Sequence, residues 1–380
     1  MRDFDLVVMG ATGFTGGLVA DYLAQRGEGI RWAVAGRDRS RLDAVRERMP
    51  QAVRPQAVVA DSHDPESLDE LAARTRVVVT TVGPYVLHGE PLVRACVKAG
   101  THCLDLTGEP LFVHRMRTQY DGPARDEGVR LVSCCGFDSI PTDYGVREAV
   151  RRLPAADAPT EVRGYLQAKG AFSGGSWNSA LEAFSRWKEF RDAKARRPLP
   201  RRERAHRLRQ GIHRPPHERG LAVPLPVIDV DVVCRTAESD PAYGTPFRYG
   251  HYLNLRGWTQ AAALGAGVAA TALGSQLPPV KRWLSQRTPP GSGPDVETRS
   301  GNWFRYVFVA RRGDAERRVE VRGGDPGYSE TAKMLAEAAS SLVRPKRALP
   351  EAAGVLTPVQ AFGDELLERL IAAGLGFREI

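Results

Sequence analysis

Several things are scarce in this sequence, and each scarcity narrows the reading. Five cysteines in 380 residues, at positions 96, 103, 134, 135 and 234, follow neither a zinc-ligand nor a disulfide spacing. The adjacent pair Cys134–Cys135 would strain any bridge between them, so reduced, mostly buried thiols in a cytoplasmic protein are expected, with no metal site. Long apolar runs are also missing. Gly257–Leu277 contains Ala261–Leu273 without a charge, but it is dominated by Ala and Gly and bounded by Arg256 and Lys281. A spanning helix wants about twenty strongly apolar residues; this stretch instead reads as a helix buried against a substrate cavity or lying on a membrane interface. Arg2, Asp3 and Asp5 interrupt any apolar start, so no signal peptide is expected there. Acidic excess is absent too: the net charge is +9. Residues 186–219 hold thirteen Lys/Arg against four Asp/Glu, and the remainder balances at 41 against 41. The excess is therefore one local basic segment, and nucleic acid is not an expected partner. Arg191–Arg219 reads as a loop or exposed helix, either a solvated insertion or a docking surface for an acidic carrier or an anionic membrane.

What is present is the composition of an ordinary globular protein, 42% hydrophobic and 26% charged, at a length that suggests two domains. Asp5–Met9 reads as a buried strand, followed at once by Gly10-Ala11-Thr12-Gly13-Phe14-Thr15-Gly16 and a helical pattern at Leu18, Val19, Tyr22 and Leu23. Strand, glycine-rich turn and helix form the dinucleotide-binding context. Gly10 permits the tight turn, Gly13 lets backbone approach a pyrophosphate, and Gly16 allows close helix packing. The helix amides then face the phosphates.

The first 150 residues repeat a strand–helix rhythm, which predicts a doubly wound parallel sheet of Rossmann type. Trp32–Ala35 is the second strand, and Arg37, Arg39 and Ser40 leave it where an acidic residue would select NAD and an arginine accommodates the 2′-phosphate of NADP. NADP(H) is the expected cofactor, with Asp38 the contrary residue. Ala57–Asp61 is the third strand; Asp61 either reaches the adenine amine or caps the next helix with Ser62 and Asp64. Val77–Val82 is the fourth, ending in Gly83-Pro84-Tyr85 beside the nicotinamide ribose. Tyr85 either lines that pocket or packs beneath the loop. His102–Asp105 and Arg130–Cys134 are the fifth and sixth strands. Asp138 and Asp143 follow, either orienting the nicotinamide amide or a substrate polar group or serving as caps.

Beyond Thr160 the pattern changes. Val162–Ala168, Ala222–Cys234 and Trp303–Arg311 read as strands, the last turning through Arg312-Gly313-Asp314-Ala315 into Arg317–Arg322 as a hairpin. Ser173 and Ser176 stand at a glycine-rich helix start suited to a carbonyl or phosphopantetheine oxygen. Tyr165 and Lys169 match a Tyr-x-x-x-Lys pair, but on a strand they lie about 13 Å apart, too far for the lysine to tune the tyrosine. The expected architecture is a cofactor domain over 1–152 and an α+β substrate and dimerisation domain over 153–353, built on a mainly antiparallel sheet with the Arg-rich insertion at 191–219. A last helix within 354–380 packs back on the first domain.

Taken together, Gly10–Gly16, Ala35-Gly36-Arg37, Val82–Tyr85 and Gly136-Phe137-Asp138-Ser139-Ile140-Pro141 resemble the saccharopine dehydrogenase-like NADP-binding proteins. Ser173–Ser176, Gly323-Gly324-Asp325-Pro326-Gly327-Tyr328 and Gly354-Val355-Leu356-Thr357-Pro358 resemble the branch that contains trans-acting enoyl reductases. The resemblance implies an NADPH-dependent enzyme that reduces enoyl groups on polyketide or lipid acyl intermediates held by a partner synthase or acyl carrier. A saccharopine dehydrogenase-type C–N oxidoreductase acting on an amino acid, and a non-catalytic NADP-binding protein on a membrane or lipid droplet, are the competing readings. A homodimer is the expected assembly, with any membrane contact peripheral.

Overall fold

The computed structural model describes residues 2–155, 158–170, 185–196, 203–277, 280 and 293–380. Its first layer is a parallel sheet of β1 (Phe4–Met9), β2 (Trp32–Gly36), β3 (Gln56–Val59), β4 (Thr75–Thr80), β5 (His102–Asp105), β6 (Arg130–Val132) and β13 (Gly354–Leu356). The order is β13-β6-β5-β4-β1-β2-β3. The chain starts at β1, runs outward through β2 and β3, then crosses back to β4. The switch point between β1 and β4 therefore opens a crevice at the carboxyl ends of the strands. Apart from Asp5, β1 and β2 are apolar and nearly wholly buried, as parallel strands covered on both faces must be.

Helices α1 (Phe14–Arg26), α2 (Arg39–Glu47), α3 (Pro65–Ala73), α4 (Tyr85–Ala99), α5 (Pro110–Gln119), α6 (Asp121–Asp126) and α7 (Ile140–Arg151) follow their strands. Leu68, Leu92, Cys96 and Phe112 pack with Val7 and Val78 on one face, while Val19, Leu23, Leu42 and Tyr144 pack with Leu6, Val8 and Val79 on the other. Pro141 sits in the first turn of α7, where its missing N–H costs nothing.

The second sheet is mixed: β14-β12-β11-β7-β10-β8, with β9 also pairing β10. Its strands are β7 (Thr160–Lys169), β8 (Ala205–Arg207), β9 (Leu221–Pro224), β10 (Phe247–Leu255), β11 (Trp303–Arg312), β12 (Ala315–Gly323) and β14 (Gly376–Glu379). β7 and β10 run parallel, while β11 is antiparallel to both β7 and β12. The hairpin turn is Gly313–Asp314, with Gly313 at φ 58°, the left-handed geometry a two-residue turn requires. Tyr165 and Lys169 lie on β7, a strand, as the alternation over Val162–Ala168 predicts.

The remaining helices are α8 (Trp187–Arg196), α9 (Asp229–Ser239), α10 (Trp258–Gly274), α11 (Val296–Ser300), α12 (Ser329–Val343) and α13 (Pro358–Ala372). Four sequence expectations need correction. The strand expected over Ala222–Cys234 stops at Pro224, and α9 begins at Asp229. Pro224 and Pro226 withdraw backbone donors, and Val230, Val233, Cys234 and Ala237 then line one buried helical face. β10, absent from the sequence reading, is central to the second sheet. Helix α10 is not buried against a cavity: none of its residues is buried. Finally, Ser329–Val343, assigned by sequence to the second unit, packs on α1 and on β4 of the first sheet.

Candidate active site

The crevice begins with the glycine turn. Gly10 takes φ 87°, and its N–H donates to Ala35 O at 2.9 Å. Gly13 N–H donates back to Gly10 O at 2.9 Å, closing the turn. A Cβ on Gly16 would stand 2.2 Å from Gly10 O, so only glycine lets α1 start this close. Thr15 and Gly16 lie in the first turn of α1. Gly13, its N-cap, makes no side-chain cap, and that turn carries no acid. The helix amides and the dipole's positive end are left for an anion. Thr81 Oγ1 reaches Met9 O and Gly10 O, both at 3.3 Å, tying the turn to the end of β4.

At the end of β2, Asp38 caps α2: its Oδ1 accepts from Arg41 N–H at 3.1 Å and from the Ser40 hydroxyl at 2.8 Å. The one acid that argued against a 2′-phosphate is thus spent on the helix start. Arg39 is drawn away to Asp43 at 2.9 Å. Arg37 is exposed, and Arg41, which sequence reasoning passed over, donates to Thr12 O at 3.2 Å across the glycine turn. The signal for Arg41 was its place four residues after Arg37, in the first turn of α2. Asp61 accepts from His63 N–H and faces His63 Nδ1, both at 3.0 Å, which holds its carboxyl below the usual range. Asp64, not Asp61, caps α3. The His63 ring meets the His88 ring edge-on at 5.0 Å, adding two histidines to this end of the crevice.

The loops after β4, β5 and β6 form the other end. The Gly83–Pro84 peptide is cis. Tyr85 opens α4, and its side chain is buried beneath the loop, with its hydroxyl donating to Thr80 O at 3.1 Å and accepting from Leu106 N–H at 3.3 Å. Burial raises its pKa well above 10, so Tyr85 supports the loop rather than lining the pocket. Buried Glu109 caps α4, accepting from Tyr85 N–H at 2.9 Å and Val86 N–H at 2.8 Å. Asp105, pushed up to about 6 by burial, accepts from Thr107 N–H, the Ser133 hydroxyl and Cys134 N–H. The last bond helps hold Cys134 at φ 63°, a left-handed backbone that costs a residue with a Cβ about 1 kcal/mol or more.

Asp138 lies exposed on the loop between β6 and α7, beside Gly108 of the loop after β5. Solvent reaches it, yet protein crowds around it, and desolvation pushes its carboxyl up to about 6. Its Oδ2 lies 3.0 Å from the point a Cβ on Gly108 would occupy. Asp143 is elsewhere: fully buried between α7 and α13, it accepts Val359 N–H at 3.0 Å.

Residues distant in sequence close the crevice. The Phe14 ring, expected at the cofactor, packs edge-on against Tyr328 at 5.1 Å and lies under the Arg299 guanidinium at 5.7 Å. Phe137 packs against Phe304 at 4.9 Å, and its N–H donates to Thr331 Oγ1 at 3.1 Å. In the Gly323–Tyr328 loop, Asp325 accepts from Tyr328 and Ser329 N–H and so starts α12. Ser173 and Ser176 lie outside the described residues. A separate cavity of about 580 Å³ opens between α5 and α8, with His114, Arg115 and Glu189 in its lining; it shares no residue with the crevice.

Residues 6–157 match the family model described as the saccharopine dehydrogenase NADP binding domain. A Mycobacterium tuberculosis protein provisionally named a trans-acting enoyl reductase is 37% identical over 413 residues, covering 99% of this chain and 97% of the relative. The trans-acting enoyl reductase of Mycobacterium ulcerans is 36% identical over 408 residues, covering 98% and 97%. Among solved structures, an apo saccharopine dehydrogenase (L-Glu forming) of Saccharomyces cerevisiae superposes with TM-score 0.53 at 13% identity, over 99% of this chain and 100% of that one. At that identity the likeness is one of fold.

Proposed function

The chain belongs to the trans-acting enoyl reductase branch of the saccharopine dehydrogenase-like NADP-binding proteins, and from that premise we propose that it uses NADPH to reduce the C=C bond of an enoyl group. The substrate is a polyketide or lipid acyl thioester carried by a partner synthase. The observation that supports this reading most directly is the pair Arg37 and Arg41 beside the glycine turn, with Asp38 held as a helix cap.

The turn fits a dinucleotide, because Gly13 starts α1 with no side-chain cap and no acid in the first turn, which leaves the helix amides open to an anion. The amides of α1 bind the pyrophosphate, and Arg37 and Arg41 take the 2′-phosphate, while the Ser40 hydroxyl stays with Asp38. Asp61 accepts from the adenine amine. The Gly83–Pro84 loop, supported by Tyr85 and capped by Glu109, forms the floor of the nicotinamide end. When bound, NADPH supplies the hydride. Asp138 holds a proton on its carboxyl, gives it to the carbon next to the thioester carbonyl, and recovers one from the water that reaches it. A carboxyl at about 6 is suited to that exchange near neutral pH.

The test is to incubate the purified chain with NADPH and a trans-2-enoyl thioester, following NADPH absorbance and the mass of the acyl product. A product heavier by two hydrogens, formed as NADPH is consumed, supports the reading. NADPH turnover on an amino-acid C–N substrate, with the enoyl thioester untouched, would overturn it.

A further inference from the structure

Helix α10 is an anomaly of surface chemistry. Its 17 residues carry no charge, and none is buried. Residues 262–270 are exposed at every position, which over more than two turns means on all sides. Trp258 is 66% exposed and Leu273 72%, with Leu264 and Val268 also open. A helix apolar all round is stable where apolar matter surrounds it. A protein partner, or a second copy of this chain, covers one side of a helix and leaves the rest in water; lipid encloses every side.

Length and charge agree with that. At 1.5 Å per residue the helix is about 25 Å long, shorter than the roughly 30 Å hydrocarbon core. Among the described residues no helix is long and apolar enough to cross a membrane. α10 rests at its root on β9 and β10. Exposed Arg256 precedes it, and exposed Arg219 is held at the end of β10, the strand that leads into α10, by Asn254 Nδ2, which donates to Arg219 O at 3.2 Å. Arg214 is exposed on the same basic loop, which joins β9 through the His213–Ala222 bridge.

We propose that α10 inserts into the acyl layer of an anionic lipid surface, with Trp258 at headgroup depth and Arg214, Arg219 and Arg256 on the lipid phosphates. The inference stands apart from the reductase reading, since no residue of the crevice takes part.

Flotation of the full chain tests it, using vesicles of phosphatidylglycerol with phosphatidylcholine and vesicles of phosphatidylcholine alone. The chain is expected to float with the anionic vesicles and about tenfold less with the neutral ones. The double substitution Leu264→Glu, Val268→Glu is expected to reduce flotation about tenfold or more. Ile371→Glu, at an exposed position on α13, should leave it unchanged. Brominated lipid should quench tryptophan emission in the wild type and lose most of that effect in Trp258→Phe. Circular dichroism and melting establish that each variant is folded. A chain that sediments with both vesicle types, or a double variant that floats like the wild type, overturns the proposal. So does a double variant that turns a concentration-dependent dimer into a monomer without any vesicle binding, which would assign the helix to a second copy. Equal flotation with both vesicle types would overturn the role of the arginines.

Discussion

Replacing Asp138 by Asn removes the exchangeable proton while keeping shape and polarity. Desolvation moves this carboxyl from 3.8 to about 6. At neutral pH this raised carboxyl holds more of the acid form than an ordinary aspartate would. General acid catalysis contributes about 10²–10⁴ in rate, so Asp138→Asn is expected to lower kcat by about a hundredfold or more, with NADPH affinity within about twofold of wild type. The assay is kcat for an enoyl thioester between pH 5 and 9. In the wild type, log kcat should fall with unit slope above about pH 6, as Asp138 ionises. In the variant that break should vanish. A variant that keeps the wild-type pH break, or loses only NADPH affinity, would refute the assignment.

Gly16→Ala places a methyl 2.2 Å from Gly10 O and 2.6 Å from Thr81 Oγ1, so the turn must open; NADPH affinity measured by fluorescence is expected to fall about a hundredfold. Arg369, 3% exposed, joins Glu365 at 2.7 Å, Glu337 at 3.2 Å and Glu28 at 3.0 Å, pinning α13 to α12 and the end of α1. Arg369→Met removes the cation these three carboxylates share, leaving Glu337 and Glu28 to Arg26 and Glu365 to the Lys346 and Arg347 N–H groups, and should cost about 3 kcal/mol in urea unfolding. Asp143 is raised from 3.8 to about 7 by burial, so the folded state binds its proton more tightly than the unfolded one. The stability this contributes is complete below about pH 4 and is lost as pH rises through about 7, by roughly 4 kcal/mol at most. Asp143→Asn, which keeps an acceptor for Val359 N–H, is expected to flatten that slope in urea titrations at pH 4 and 8.

The cofactor half was legible because its signals are local. β1 and its glycine turn are contiguous, and β5 was placed to the residue because His102–Asp105 is short and bounded by Gly100-Thr101 and the polar Thr107-Gly108. Arg37 leaves the end of β2 and stands exposed, as its place after Gly36 implies, whereas the engagement of Asp38 was not legible: only the helix start shows that its carboxylate is already taken. Phe14 belongs to the glycine motif by sequence, but its ring answers to Tyr328 and Arg299, more than 280 residues away. The second sheet was harder because its pairings are non-local. β10 alternates aromatics with Gly250 and His251 and gains its identity only between β7 on one side and β8 and β9 on the other. Val230-Asp231-Val232 mimics a strand; the prolines before it and the buried face shared with β10 make it helical. For α10 the composition was read correctly as weakly apolar and uncharged, but only the fold shows that nothing among the described residues covers it.

The central claim is that this crevice selects NADPH through the cations at the end of β2. The most direct measurement is fluorescence titration of the purified chain with NADPH and NADH, repeated on Arg37→Ala and Arg41→Ala. NADPH is expected to bind tightly and NADH weakly, and each variant to lose about tenfold or more in NADPH affinity with NADH unchanged. Equal affinity for the two nucleotides, or variants that bind NADPH as the wild type does, would contradict it.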